Sequence, residues 1–95
     1  MFKIKTVKAV KKDMKKLSNE ILKEIKEFHF KNIRENPFKS QELGYSFKGL
    51  YSYHFSFKKI AYRIIYEVFE MDELIVIIMI GSRESFYAKL KRRLF

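Results

Sequence analysis

Two arginines in the last third of the chain interrupt segments that are otherwise apolar. Arg63 stands within residues 62–66, which read YRIIY, and Arg83 follows the apolar run 74–80 in the sequence GSRES. A buried guanidinium is costly unless an anionic group meets it. Its planar fork can hold two oxygens of one phosphate. The pair therefore indicates a site for a phosphate or another oxyanion.

Two further side chains near these arginines carry possible chemistry. His54 lies in the middle of a predicted strand, where a histidine is more often structural, although an imidazole that titrates near neutrality can also act as a general acid or base. Tyr87 follows Arg83 by four residues. It is either a core aromatic residue of the last helix or a phenol beside that arginine, and the spacing leaves both readings open.

Several other kinds of site are excluded or unsupported. The chain has no cysteine, which removes disulfides, thiolate metal sites and thiol nucleophiles together. His29 and His54 are far apart and have no carboxylates at matching spacing, so they do not make a metal motif. No glycine-rich phosphate loop is present. We therefore expect neither a metal nor a cofactor, and we expect His29 to be a buried structural residue.

The overall charge limits the partners. The net charge is +10 and the pI is near 9.8, which favours nucleic acid, an anionic membrane or an acidic protein as a partner. A solubilising lysine-rich surface would give the same balance. The apolar run 74–80 is far shorter than the roughly 20 residues that span a bilayer, and no secretory signal is visible. We expect a soluble, cytoplasmic protein with no membrane partner, folded as one domain over residues 1–95.

The period of the apolar residues predicts the elements that hold these side chains. Residues 2–6 alternate and predict a short edge strand, and two amphipathic helices follow, separated at Ser18 and ended by Asn36-Pro37. The turn-rich segment 37–52 is predicted to be a linker over the surface. Strands are then predicted at 53–58, 61–69 and 74–80, followed by a short basic helix that begins near Phe86.

Helices followed by hairpin-connected strands predict an α+β fold with a mainly antiparallel sheet. The two helices would cover one face of that sheet. The other face would be partly open and would carry His54, Ser56 and Lys58. Together with the two arginines and the basic tail, these residues would border one groove.

Three motifs in this order resemble the RelE/ParE superfamily of bacterial and archaeal toxins. They are the turn 47–50 (FKGL), the strand 62–66 (YRIIY) and the strand end 80–87 (IGSRESFY). The resemblance covers the whole chain in architecture and about its last half in residues. It implies a compact antiparallel sheet under a helical hairpin.

In the RelE branch, the resemblance implies a metal-independent endoribonuclease that cuts mRNA in the ribosomal A site. The 2′-OH attacks the adjacent phosphate and leaves a 2′,3′-cyclic phosphate. Arg63 and Arg83 match the arginines that stabilise the transition state, and Tyr87 matches a tyrosine that stacks on a base or transfers a proton. RelE proper has lysines where this chain has His54 and Ser56; the histidine can replace a base, but the serine cannot replace a cation. Further RNA contacts are expected from basic residues outside this set: Lys48, Lys58, Lys59, Lys89 and Arg92.

Other functions remain open. The same arginine motifs occur in the ParE branch, which inhibits DNA gyrase and cleaves nothing, and a generic nucleic-acid-binding module would also explain the charge. His54, Tyr87 and the basic tail favour the ribonuclease. Either toxin implies a cognate antitoxin, which we expect to be acidic and partly disordered, so that it folds onto the basic groove.

Overall fold

A five-stranded sheet lies at the centre of the computed structural model, which describes residues 1–95. Across the sheet the strands run in the order β1-β5-β4-β3-β2, with β1 parallel to β5 and every other pair antiparallel. The fold is the predicted α+β class, and β5 is a buried interior strand between β1 and β4, as its apolar sequence indicated. In chain order the strands are β1 (Lys3–Thr6), β2 (Gln41–Glu42), β3 (Leu50–Phe57), β4 (Ile60–Phe69) and β5 (Leu74–Ser82).

Helices account for most of the remaining chain. They are α1 (Lys8–Lys15), α2 (Asn19–Glu24), a π-helical turn (Ile25–His29), α3 (Phe30–Glu35) and α4 (Phe86–Leu94). The predicted break at Ser18 is confirmed, because its side chain accepts a hydrogen bond from the Ile21 N–H and caps α2. The predicted end before Pro37 is also confirmed. No helix of the structure combines the length and the apolar composition that a membrane span needs.

The π-helical turn makes one continuous helix out of α2 and α3. The Phe30 N–H bonds to the carbonyl oxygen of Ile25, five residues earlier, so one extra residue is inserted into the turn. The apolar stripe therefore moves by one position after Ile25. Phe30 is buried, whereas Phe28 is 56% exposed. The sequence periodicity did not predict this shift.

One face of the sheet carries the larger hydrophobic core. Helices α1, α2 and α3 pack their apolar stripe against alternating residues of β4 and β5. Each fully buried aliphatic or aromatic side chain contributes about 1.5–3 kcal/mol. The core residues are Val10, Ile21, Ile25, Phe30, Ile33, Ile64, Tyr66, Ile75, Ile77 and Ile80.

A β-bulge in β5 changes which residues face these helices. Ile65 pairs with Met79, but the next residue of β4, Tyr66, pairs with Ile77, so Ile78 is the extra residue. Before the bulge, odd-numbered residues of β5 face the helices, and after it Ile80 does. Gly81 is consequently placed on the opposite face.

That opposite face is covered at one end by a smaller core. Phe86 and Leu90 of α4 pack with Leu43, Leu50 and residues of β4 and β5. The prediction of a surface linker over 37–52 is therefore wrong in two respects: the segment contains β2, and its leucines are buried. Those leucines are too isolated in sequence to show a period.

The ion pair between Asp13 and Arg93 bonds to the backbone of β5 beyond the residues that pair with β1. β1 pairs only with residues 74–77. Beyond them, the Ile80 N–H donates to Asp13 Oδ2 at 3.1 Å, and the Ile78 carbonyl accepts from Arg93 Nη1 at 3.0 Å. Arg93 also donates to both carboxylate oxygens of Asp13, at 2.6 and 2.8 Å. These contacts fasten α1 and α4 to the free edge of β5.

Candidate phosphate-binding site

Three strands bring His54, Arg63 and Gly81 into one row across the sheet. His54 pairs with Arg63 between β3 and β4, and Arg63 pairs with Gly81 between β4 and β5. Because side chains alternate along each strand, this row lies on the face opposite the helical hairpin. Gly81 has no side chain, and the ring of Phe86 packs over it, 3.5 Å from where a Cβ would stand.

Arg83 joins this row from beyond the end of β5. Its backbone N–H donates to the carbonyl oxygen of Ala61 at 2.9 Å, which holds residue 83 against β4. Two residues after Gly81, it falls on the same face. His54, Ser56, Arg63 and Arg83 all line one depression of about 280 Å³. The structure thus brings the two predicted arginines together with His54.

Aromatic rings support the Arg63 side chain. Its Cζ lies 5.0 Å from the centroid of the Tyr87 ring and 5.9 Å from that of Phe86. At these distances a guanidinium is attracted to the ring face. The Tyr87 ring in turn lies 6.1 Å from that of Phe47. Tyr87 is thus a partly exposed neighbour of Arg63, whereas Phe86 is buried in the core.

Neither arginine of the depression has an acidic partner. The ion pairs within the chain involve Asp13, Glu20, Glu24 and Glu73, and none includes Arg63 or Arg83. Two guanidinium groups therefore face the same small space without a carboxylate to neutralise them. Such a space favours an anion that carries several oxygens.

The surroundings of His54 favour its neutral form. Its Nε2 lies 2.9 Å from Oγ of Ser52, which is only 2% exposed. Partial burial, and secondly the positive charge of Arg63, lower the pKa of His54 below its ordinary value. This shift favours the uncharged imidazole at neutral pH. When Nε2 donates its proton to Ser52 Oγ, the lone pair on Nδ1 is left free to accept a proton.

The two lysines of the β3–β4 turn diverge. Lys58 and Lys59 both have left-handed backbone angles, with φ of 49° and 69°, as a two-residue hairpin requires. Nζ of Lys58 lies 3.0 Å from Glu20 on α2, so the prediction that Lys58 shares the open face with His54 is wrong. β3 ends one residue earlier, at Phe57. Lys59 lines a neighbouring depression together with Arg83.

The remaining predicted RNA-contacting residues lie outside the depression. Lys89 and Arg92, on α4, line a cavity of about 600 Å³ at the free edge of β5, which also includes Asp13. Lys48 is exposed just after the 3₁₀ turn Tyr45–Phe47. The prediction of one groove bordered by all the cations is therefore wrong, since the basic tail borders a second cavity.

His29 has the structural role that its position predicted. Its Nδ1 lies 2.8 Å from the Tyr53 hydroxyl and its Nε2 lies 2.8 Å from Glu24. Its ring is stacked on Phe55, with 4.0 Å between the centroids. These contacts fix β3 to the π-helical turn, on the face away from the arginines.

Sequence reasoning missed Ser52 as a partner of His54. The signal was present, because residues i and i−2 of a strand lie on the same face. The Asp13–Arg93 pair gave no such signal, since its members are 80 residues apart.

The chain resembles known toxins in sequence pattern and in fold. A family described as the ParE-like toxin of type II bacterial toxin–antitoxin systems matches residues 4–91. None of the curated proteins matches the chain by sequence.

Solved structures share the fold at low identity. The RelBE2 toxin–antitoxin complex from Mycobacterium tuberculosis is matched at 22% identity and a TM-score of 0.77, over 86% of this chain and 98% of that one. A double mutant of the E. coli toxin RelE in the free state gives 18% identity and a TM-score of 0.75, over 99% and 98% of the two chains. The intact E. coli RelBE complex gives 17% and 0.70, over 88% and 99%.

Proposed function

Because this chain belongs to the ParE-like toxin family of type II toxin–antitoxin systems, we propose that it is a toxin that cleaves mRNA on the ribosome. The observation that carries the proposal is the depression where His54, Arg63 and Arg83 meet. Cleavage there would proceed by attack of a ribose 2′-OH on the adjacent phosphate. The products would be a 2′,3′-cyclic phosphate and a 5′-OH end. Translation takes place in the cytoplasm, where the toxin would act.

The two arginines supply what the transition state of this reaction needs. Negative charge increases on the phosphate oxygens as the 2′-oxygen attacks, and cations fixed in advance stabilise that charge more than they stabilise the substrate. Arg63 is preorganised by the ring of Tyr87, and Arg83 is held by its backbone bond to Ala61. Both are unpaired in the folded chain, so no ion pair has to break before RNA binds.

Proton transfer would involve His54 and Tyr87. A general base must be unprotonated at the working pH, and the lowered pKa of His54 meets that condition. The imidazole would accept the proton of the 2′-OH. Tyr87, partly exposed beside Arg63, would stack on a base or donate a proton to the departing 5′-oxygen.

The same surface would be the place where an antitoxin neutralises the toxin. The similar Mycobacterium tuberculosis and E. coli structures are toxin–antitoxin complexes. A chain with a net charge of +10 attracts an acidic segment over several ångströms, and this complementary charge makes binding faster and more specific. We propose an acidic antitoxin that folds on binding and covers the two arginines.

A translating extract tests the ribonuclease. The purified chain is added and the new 5′ ends of the mRNA are mapped. We expect 5′-OH ends within coding sequence, and loss of at least about 100-fold in cleavage for Arg83→Ala. The matched control is Arg34→Ala, an arginine of α3 on the helical side, which should cleave as the unaltered chain does. Intact mRNA in the presence of folded, growth-arresting toxin would refute the proposal.

A second candidate is inhibition of DNA gyrase without cleavage. Ser56 favours this candidate, because it lies in the depression where a third cation would strengthen phosphate binding, and a serine supplies no charge. The family description, which names a ParE-like toxin, also favours it. A gyrase supercoiling assay with the purified chain separates the two. Blocked supercoiling with intact mRNA would establish the binding toxin instead.

A further inference from the structure

A second cavity lies directly beside the phosphate depression, at the edge of β3. β2 pairs only with Tyr51 and Ser52, so the following residues of β3 have no neighbouring strand on that side. The end of α3 and the segment that leads into β2 enclose the space, which has a volume of about 560 Å³. Ligand pockets commonly measure roughly 300–1,000 Å³. The cavity is therefore large enough for a nucleobase with its ribose.

The lining of this cavity differs in chemistry from that of the depression. Its main polar groups are the amides of Asn32, Asn36 and Gln41, and Tyr53 is its one hydrophobic lining residue. Glu35 and Lys39 add one charge of each sign, so the cavity has no net charge. Phosphate groups and acidic peptides would gain little from such a lining.

An amide lining suits the edge of a base. Each Asn or Gln presents both donors and an acceptor, and a nucleobase edge presents the same two kinds of group. Asn36 and Gln41 make no side-chain hydrogen bond within the chain. Asn32 uses one N–H for the Tyr53 hydroxyl, at 3.1 Å, which fixes the direction of its amide. Single-stranded RNA is read by such contacts to unstacked bases.

His54 lines both the phosphate depression and the amide-lined cavity. It lines the phosphate depression with Arg63 and also lines the amide cavity with Tyr53. A nucleotide whose phosphate lies between the two arginines would have its neighbour close to the imidazole. We propose that the cavity binds the nucleobase next to the scissile phosphate and sets the sequence preference of cleavage. This inference rests on the proposed ribonuclease activity.

The test compares cleavage of mRNAs that differ at one nucleotide beside the cut. The full chain is added to translating ribosomes, and kcat/KM is measured for the four versions of the site. The unaltered chain should prefer one base. Asn36→Ala and Gln41→Ala should each reduce that preference by about fivefold to tenfold, because each removes a hydrogen-bonding amide. Gln41→Glu replaces a donor with an acceptor, so it should change which base is preferred.

The controls separate failure of this inference from failure of the proposed function. Asn19→Ala removes an exposed amide from the start of α2, away from the cavity, and should keep both the rate and the preference. Thermal unfolding confirms that each variant is folded. Cleavage with an unchanged preference in all three cavity variants would overturn the base site alone. Weaker antitoxin binding with an unchanged preference would assign the cavity to a protein partner. Absence of cleavage by the unaltered chain would overturn both proposals.

Discussion

Removal of Asp13 should destabilise the fold more than removal of any exposed carboxylate. The Asp13 side chain is 9% exposed and that of Arg93 is 24% exposed, and their ion pair is bidentate. Asp13→Ala leaves the guanidinium without its partner in a largely buried place. It also leaves the Ile80 N–H without an acceptor at the edge of β5.

The expected loss can be estimated from these contacts. Breaking a buried ion pair costs about 3–5 kcal/mol, but partial exposure of Arg93 lets water reach it, so about 2 kcal/mol is a better figure here. The orphaned N–H adds about 1 kcal/mol. A loss of about 3 kcal/mol lowers the melting temperature of a chain of this size by roughly 12–24 °C.

Urea unfolding and calorimetry measure this loss directly. The matched control is Glu20→Ala, which breaks the Lys58–Glu20 pair, whose side chains are 68% and 64% exposed. That control should cost less than about 1 kcal/mol. In the double variant with Arg93→Ala, the loss should be smaller than the sum of the two single losses, because no unpaired charge remains. A loss below about 1 kcal/mol for Asp13→Ala would refute the reasoning.

Three further predictions concern the site and its support. The cleavage rate should fall as the pH drops below about 6.5, because the pKa of His54 is lowered from 6.5 and protonation removes the base. In Arg63→Gln the fall should begin at a higher pH, because the positive charge that lowers the pKa of His54 is gone; a pH–rate profile of the residual cleavage measures this. Arg63→Lys should reduce cleavage about 100-fold while stability changes by less than about 1 kcal/mol, since an ammonium cannot hold two oxygens as a fork or stack on Tyr87 in the same way; single-turnover rates and urea unfolding report the two effects. Tyr66→Phe should lower the free energy of unfolding by about 1–2 kcal/mol, measured in urea, because the buried hydroxyl donates to the Pro37 carbonyl. Burial raises the pKa of Tyr66 to about 12, so the hydroxyl keeps its proton near neutral pH and remains a donor.

Elements with a clear apolar period were predictable from sequence. The alternation in β3 placed His54 on the face opposite Tyr53. The continuous apolar run of β5 indicated that this strand is buried inside the sheet, and it lies between β1 and β4. Ser18 and Pro37 marked helix boundaries through local backbone chemistry that needs no tertiary context. The two arginines stood out in the sequence because Arg63 interrupts an apolar strand and Arg83 directly follows another.

Features that depend on long-range packing were not predictable in this way. The π-helical turn adds a residue within a helix whose propensities are ordinary, and it is stabilised by the contacts of His29 with β3. Leu43 and Leu50 become core residues only because α4 folds back over them. Lys58 points toward Glu20 because β3 ends at Phe57 and Lys58 already belongs to the hairpin turn. The ends of strands are the part of a strand that sequence predicts least well.

The bulge at Ile78 links the stability of this sheet to its proposed chemistry. If β5 kept the same residues but had no bulge, its alternation would continue from Ile77 unchanged, and Gly81 would face the helical hairpin instead of lying beside Arg63 on the open face. Arg83, two residues further on, would follow it to the face that the helices cover. The bulge thus allows one strand to supply apolar residues to the larger core along its first half and an arginine to the open face at its end. The Asp13–Arg93 pair then bonds the backbone on both sides of Met79, just past the bulge, where β1 no longer protects the edge. A short stretch of β5 therefore determines both how α1 and α4 are attached to the sheet and on which face Gly81 and Arg83 lie.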